Sequence, residues 1–473
     1  MTVRAVAWNH TEAERKEVIK VDDEITPILH ADVLRAVSKD ESLSFRFTLP
    51  VVAENVLTIF IGLLFSRIIS TISASALAAI GMSNTVMAVV SALFSVVTTG
   101  AAVLVSRQIG AQDGLGAAET IEQSLFLALV SSLALTALCM LTAQPMLRLL
   151  MPTAEDQLFD EAVRYHQMLL LSLPFLTVHS VLSTVARSMG DSRNPMLVAL
   201  LMNLCQLAFA YLLISVLHLE ETGAGLAYVF CRLLGAGLML AVLLRNHKYF
   251  VLHLRNLLHP HLRTIVRILH IGVPVSIESI FVQVGYMLGN SMAIALGTFE
   301  SGVYQILNTL NTFITLPQGI CSTVALAAVG HLLGAERVRD AKHSGRIVWA
   351  AGIGCTLLLG TIAMLFGTPL SGLYSSDPAA ISESAGLLWL LVVMVIAGVS
   401  INGIDPQLRA GGDVKYVMCV TLFAVWGIRL PLTWLFCFKF HLGVPGIFLA
   451  NAISLYFRAV MGFVRHCGTR WIK

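Results

Sequence analysis

The stretch LPVVAENVLTIFIGLLF, Leu49 to Phe65, sets one carboxyl, Glu54, four residues after Pro50 at the start of a strongly apolar run. Its pattern returns in GVPVSIES, where Pro274 and Glu278 stand 224 residues later (274 − 50 and 278 − 54). At the same offset Asn84-Thr85 recurs as Asn308-Thr309, Thr99 as Thr323, and Gly110-Ala111 as Gly334-Ala335. Further on, Arg187, Gly190 and Asp191 recur as Arg409, Gly412 and Asp413, at an offset of 222. A register that survives this far predicts two related halves, the construction of many transporters.

The halves are built for lipid. Of the 473 residues, 56% are hydrophobic and 12% charged, with a mean hydropathy of +0.80, whereas soluble domains carry about 25% charged residues. A span needs about 20 mostly apolar residues to cross a hydrocarbon core of roughly 30 Å. Apolar windows predict twelve spans, near 47–70, 80–106, 118–143, 163–186, 195–217, 224–244, 271–296, 302–329, 347–366, 384–405, 416–438 and 445–464. The fold class is therefore an all-α polytopic membrane protein, twelve helices in two pseudo-symmetric six-helix lobes. With an even number of spans each, the lobes run in the same direction, related by an axis along the membrane normal.

Alternate connections are basic, among them RSMGDSR, ERVRDAKHSGR, LRAGGDVK and RHCGTRWIK, while the other set is short or acidic. The positive-inside rule puts the basic set and both termini in the cytoplasm. The expected organisation is a polar cytoplasmic arm (1–44), an N-terminal lobe (45–244), a basic linker (245–270), a C-terminal lobe (271–465) and a short tail (466–473). The arm lacks the order of a cleavable signal peptide, and HLRNLLHPHLRTIVRIL in the linker reads as an amphipathic helix on the membrane surface. Eight cysteines are scattered without a CxxC pair, so neither a disulfide framework nor a metal site is expected. The absence of a GxxxxGK[ST] stretch leaves ATP-driven transport unsupported.

SALAAIGMSN, VSRQIGAQD, RSMGDSRNPM, GVPVSIES, the long segment from Val303 to Ala341, LRAGGDVKYV and WGIRLPL resemble, in order, segments of the multidrug and toxic compound extrusion (MATE) family. The likeness runs over roughly residues 45 to 465. It implies a secondary antiporter of two six-helix lobes exporting amphipathic, often cationic compounds against a proton or sodium gradient. The linked superfamily also holds lipid-linked saccharide flippases. The sequence departs from the family pattern where many members carry an aspartate in the first helix, a position that reads as Phe65. The Asn and Asp of the fifth helix in one branch read as Gln206 and Ala210.

Ionisable groups inside spans cost about 2.5–3.5 kcal/mol on insertion scales unless they face a cavity or a partner. Glu54 and Glu278 are the leading ion-coupling candidates, each read as one turn inside its helix, where a carboxyl can take up and release a proton. The competing reading is that each caps or snorkels at the cytoplasmic helix end, favoured by the macrodipole. Asp405 reads as a cap or a partner of Arg409. Arg187 with Asp191, and Arg409 with Asp413, read as pairs bracing short cytoplasmic turns at the gate. Asn55, Gln283, Tyr286, Tyr304, Gln305 and Asn308 are the polar candidates for a substrate cavity, with hydrogen bonding between helices as the alternative; Tyr304, Asn308 and Asn311 share a helix face. Arg67, within the first span, either snorkels or makes the N-terminal lobe electropositive. His179 reads as a proton carrier or as a histidine bonded to a neighbouring group. Arg429 reads as a packing residue.

The expected function is export of small amphipathic molecules, cations among them, in exchange for H⁺ or Na⁺ by alternating access. No cofactor, no nucleic-acid partner and a monomer in a bacterial inner membrane are expected. A saccharide flippase is the alternative within transport. A membrane receptor or enzyme is the alternative outside it, and no HExxH, GxSxG or paired catalytic aspartates favour an enzyme.

Overall fold

The computed structural model describes residues 74–150, 156–245, 260–372, 377–468 and 470–472, together with Tyr374 and Glu54, Leu57, Thr58, Ile61, Gly62, Leu64 and Phe65. The predicted N-terminal arm, most of the first span, Asn55, Arg67 and linker residues 246–259 lie outside the described residues. The described residues are helical, as a lipid-embedded chain must be when each backbone donor and acceptor needs an internal partner. Among the described residues ten helices are long and apolar enough to cross a membrane, or up to 11 if the bent pair Phe159–Leu171 and Leu173–Ser188 counts as one span.

In the first half the main helices are α1 (Ala74–Leu93), α2 (Ser95–Gly110), α3 (Gly114–Leu150), α4 (Asp156–Leu171), α5 (Leu173–Ser188), α6 (Arg193–Ala210) and α7 (Glu220–Arg245). In the second they are α8 (Leu262–Ala295), α9 (Thr298–Ile314), α10 (Leu316–Gly334), α11 (Val338–Leu365), α12 (Leu388–Ala410), α13 (Val414–Leu422) and α14 (Gly443–Cys467). The spans break where proline makes the helix restart: Pro174 follows the 43° bend between α4 and α5, and Pro317 sits in the first turn of α10. Helices α2, α3, α5 and α7 enclose one core, and α9, α12 and α14 another that includes Tyr304, Leu307, Leu391 and Phe448.

The repeat is written into the backbone. Gln112 and Glu336, 224 apart, end α2 and α10 at φ 60° and 59°. Gly190 and Gly412, 222 apart, sit at φ 89° and 91°. At each of these four turns the following N–H reaches back five residues, as from Asp113 to the Gln108 carbonyl and from Asp413 to the Leu408 carbonyl. That is the Schellman closure, which satisfies carbonyls a helix end would leave bare.

Two expectations change here. Helix α8 begins at Leu262, so residues 262–269 of the expected surface helix continue into the span. Glu278 therefore stands sixteen residues into its helix (278 − 262), about 24 Å from its start, and Pro274 is absorbed without ending it. The helix-end reading of Glu278 fails for that reason. The tail also packs back: Trp471 is fully buried against Gly411 and stacks on His466.

The two halves meet through α2, which packs along α8 and α10. Small residues permit it. Gly110 lies against the His331 carbonyl, Gly334 against the Arg107 carbonyl and Gly330 against Ser106, so closely that a Cβ would clash at each. Residues 107 and 331 are themselves 224 apart, which makes the contact nearly self-complementary. His331 adds a hydrogen bond from Nε2 to the Ser188 carbonyl in α5. Among the described residues helix α9, in contrast, packs closely only with elements of the second half.

Candidate functional site

At the heart of the second bundle, α8, α12, α13 and α14 bring four charged side chains together. Arg409 Nη2 donates to Glu278 Oε2 at 2.9 Å. Arg458 Nη2 donates to Asp405 Oδ2 at 2.8 Å and to Glu278 Oε1 at 3.3 Å, where the Thr421 hydroxyl also donates at 2.8 Å. The Glu278 side chain is 5% exposed, that of Asp405 10% and that of Arg458 13%. Carboxylates so withdrawn from water need compensating donors. Two acids and two arginines make the cluster formally neutral.

The cluster forms part of the wall of a cavity of about 250 Å³, which Tyr286, Asn311, Thr315, Gln318, Asn402 and Asn451 also line. Its amides are partly committed: Asn402 Nδ2 donates to Gln318 Oε1 at 3.1 Å. The Asn311 side-chain carbonyl is buried and without a hydrogen bond among the described residues. Fixed charges together with an amide carbonyl that has no partner among the described residues can orient a polar guest.

The first bundle holds the repeat-related ion pair, Arg187 Nη2 to Glu54 Oε1 at 2.5 Å. The R-x-x-G-D arginines thus reach across to the glutamates of the preceding spans, and the expected pairing of each with its own aspartate is corrected. Asp191 instead accepts from the Asn194 backbone and side-chain amides, and Asp413 from Arg465 Nε at 2.7 Å. Asp405, expected on Arg409, hydrogen-bonds Arg458. Asp191 and Asp413 each follow the αL glycine that ends the helix of Arg187 or Arg409, and they find partners beyond that turn.

Among the polar candidates, Tyr286 lines the cavity and Gln283 is half-buried on the same helix. Gln305 Nε2 donates to Asn290 Oδ1 at 3.0 Å, and Asn308 is exposed. Tyr304 is 5% exposed and packs on Phe448 inside the bundle core, away from the cavity lining. His179 is buried, its Nε2 3.3 Å from the Ser183 hydroxyl. Phe65 packs into the core of the first bundle, and Gln206 is half-buried. Arg458 and Thr421 were missed. An arginine inside ISLYFRAV carried the signal of a charge in an apolar run, while Thr421 carried none.

Comparison with known proteins agrees with this architecture. A probable multidrug resistance protein NorM of Thermotoga maritima is 24% identical over 435 residues, covering 90% of this chain and 92% of its own. The uncharacterized transporter YisQ of Bacillus subtilis is 26% identical over 439 residues, covering 91% and 94%. The solved structure of a MOP-superfamily transporter from Pyrococcus furiosus superposes with a TM-score of 0.84 at 19% identity, over 92% of this chain and 97% of that one. The MatE family model matches twice, at residues 50–212 and 274–435, in the register of the internal repeat. The chain belongs to the MatE family, the MATE membrane transporters.

Proposed function

We propose that this transporter is a proton-coupled antiporter of a bacterial inner membrane, with both termini cytoplasmic, and that Glu278 and Asp405 carry the coupling proton. The observation that carries the reading is the sharing of one Arg458 Nη2 between the two carboxylates. A proton on either acid frees that guanidinium to bind the other more tightly, so protonation and side-chain rearrangement are one event. A sodium ion needs several oxygen lone pairs, as hard cations do, and here N–H and O–H donors already hold both Glu278 oxygens and one of Asp405. Glu54 with Arg187 is the corresponding pair in the first bundle, open to the same exchange.

Small amphipathic substrates are supported by the relatives, several of which are named multidrug resistance proteins. With the basic loops inside, the glycine-lined contact of α2 with α10 seals the cytoplasmic end, and the exposed face of α9 opens outward. A saccharide flippase expects several cationic residues lining the cavity, whereas the two arginines that line it, Arg409 and Arg458, are matched by acids.

The test is export of a panel of cationic, neutral and anionic fluorescent dyes from proteoliposomes under a pH gradient or a sodium gradient alone. Glu278→Gln and Asp405→Asn should each lower pH-driven flux at least about ten-fold, the scale of one lost essential interaction. Sodium-driven flux at equal pH, or full pH-driven flux in both variants, would sink the reading.

A further inference from the structure

One cation near the cavity lacks an acid. Arg429 stands near the middle of the span Val414–Lys439, fifteen residues from one end and ten from the other. It closes the π-helical stretch Phe423–Arg429, the wider winding that often marks a functional place in a helix. The residue is 4% exposed. Its guanidinium carbon lies 4.3 Å from the centroid of the Tyr286 ring, and Gly289 leaves room beside Nη2. Among the described residues no carboxylate or hydrogen-bond acceptor meets this guanidinium, whereas Arg409, Arg458 and Arg465 each bind an acid.

The imbalance has a direction. The Glu278, Asp405, Arg409 and Arg458 cluster is neutral, so Arg429, behind the lining residue Tyr286, adds one uncompensated positive charge next to the cavity. A face-on tyrosine offsets only part of the cost of a desolvated cation. Tyr286 connects it to the cavity: the residue lines that space, and its ring lies under the guanidinium. Tyr286 is eight residues beyond Glu278 on α8, about 12 Å further along the helix. A ligand charge held there would not compete with the carboxylates for their arginines.

We propose that Arg429 and Tyr286 form an anion subsite, and that the exported molecules carry a carboxylate, sulfonate or phosphate group on an apolar or aromatic body. The ring of Tyr286 stacks against the body, and the guanidinium donates to the anionic group. The polar face of α9, with Gln305 and Asn308 exposed, serves the ligand's remaining polar groups. This rests on the transport reading above but on neither the coupling ion nor Glu278.

The test is equilibrium binding without any gradient, so that a failure of proton coupling leaves it untouched. Fluorescein and rhodamine 123 share a xanthene scaffold and differ in charge; each is titrated, with anisotropy as readout, against the full-length protein in nanodiscs of phosphatidylcholine. The wild type should prefer fluorescein, a preference that needs no variant to be seen. Arg429→Gln should weaken fluorescein binding about ten- to a hundred-fold, the effect of losing one charge-assisted hydrogen bond, and leave rhodamine 123 unchanged or tighter. Arg429→Lys should restore part of the fluorescein affinity. A preference for rhodamine 123, no fluorescein binding by the wild type, or equal loss of both dyes in a monodisperse Arg429→Gln protein overturns the proposal. If phosphatidylglycerol in the nanodisc abolishes fluorescein binding, the site takes a lipid headgroup and the substrate assignment falls.

Discussion

Arg458 has two acids and little water, and its removal should show what the cluster is worth. Truncating one partner of a buried ion pair costs about 3–5 kcal/mol, because the other charge stays behind unpaired. Arg458→Met should therefore lower the thermal midpoint in detergent, and by more than Arg187→Met, since the Arg187–Glu54 pair is more exposed and holds one carboxylate. Adding Glu278→Gln and Asp405→Asn to Arg458→Met should recover part of the loss, and no recovery would mean that packing rather than charge sets the cost. At this scale the sequence was half legible. Glu278, Asp405 and Arg409 stood out as charges in apolar surroundings. Their partners come from 53, 131 and 180 residues away in the chain, distances at which spacing carries no information about pairing.

The elements show where small residues act. Ser106, Gly110, Gly330 and Gly334 let α2 and α10 touch backbone to backbone. A valine at 334 would have to push the Arg107 carbonyl aside. Gly334→Val should prop the two halves apart: a cysteine at Ser106, buried in the native contact, should become reactive to maleimide in a cysteine-free background. Flux should fall while the thermal midpoint changes little, because each bundle keeps its own core. An unreactive cysteine with normal flux would show that the contact is not part of the transport cycle. The recurrence of Gly110 as Gly334 was visible from the sequence. That the two glycines face each other's helix across the interface was not, because periodicity locates a residue on its helix and not the neighbour it meets.

For the molecule as a whole, the question is which end opens. The contact of α2 with α10 lies at the end bearing Gln112, Ser188 and Glu336, and α9 carries the exposed polar residues Gln305 and Asn308. In intact cells a cysteine at Asn308 should react with a membrane-impermeant maleimide added outside, in the same cysteine-free background. Reaction from the cytoplasmic side alone would reverse the orientation drawn from the basic loops. The self-complementary contact of α2 with α10 is what an axis along the membrane normal produces.

The sequence alone determined the class of molecule and its doubling. Apolar runs long enough for a bilayer force helices, and a register of 224 and 222 residues forces two related halves. It also marked Glu54, Glu278, Arg187 and Arg409 as repeat-related charges. The tertiary structure decided how those charges are spent: each arginine on the glutamate of an earlier span, Arg458 between two acids, and Arg429 on a tyrosine alone. The reason is physical. Hydropathy and helical period are local properties that a run of residues carries by itself, whereas the compensation of a buried charge depends on which helices the packing brings within a few ångströms of it.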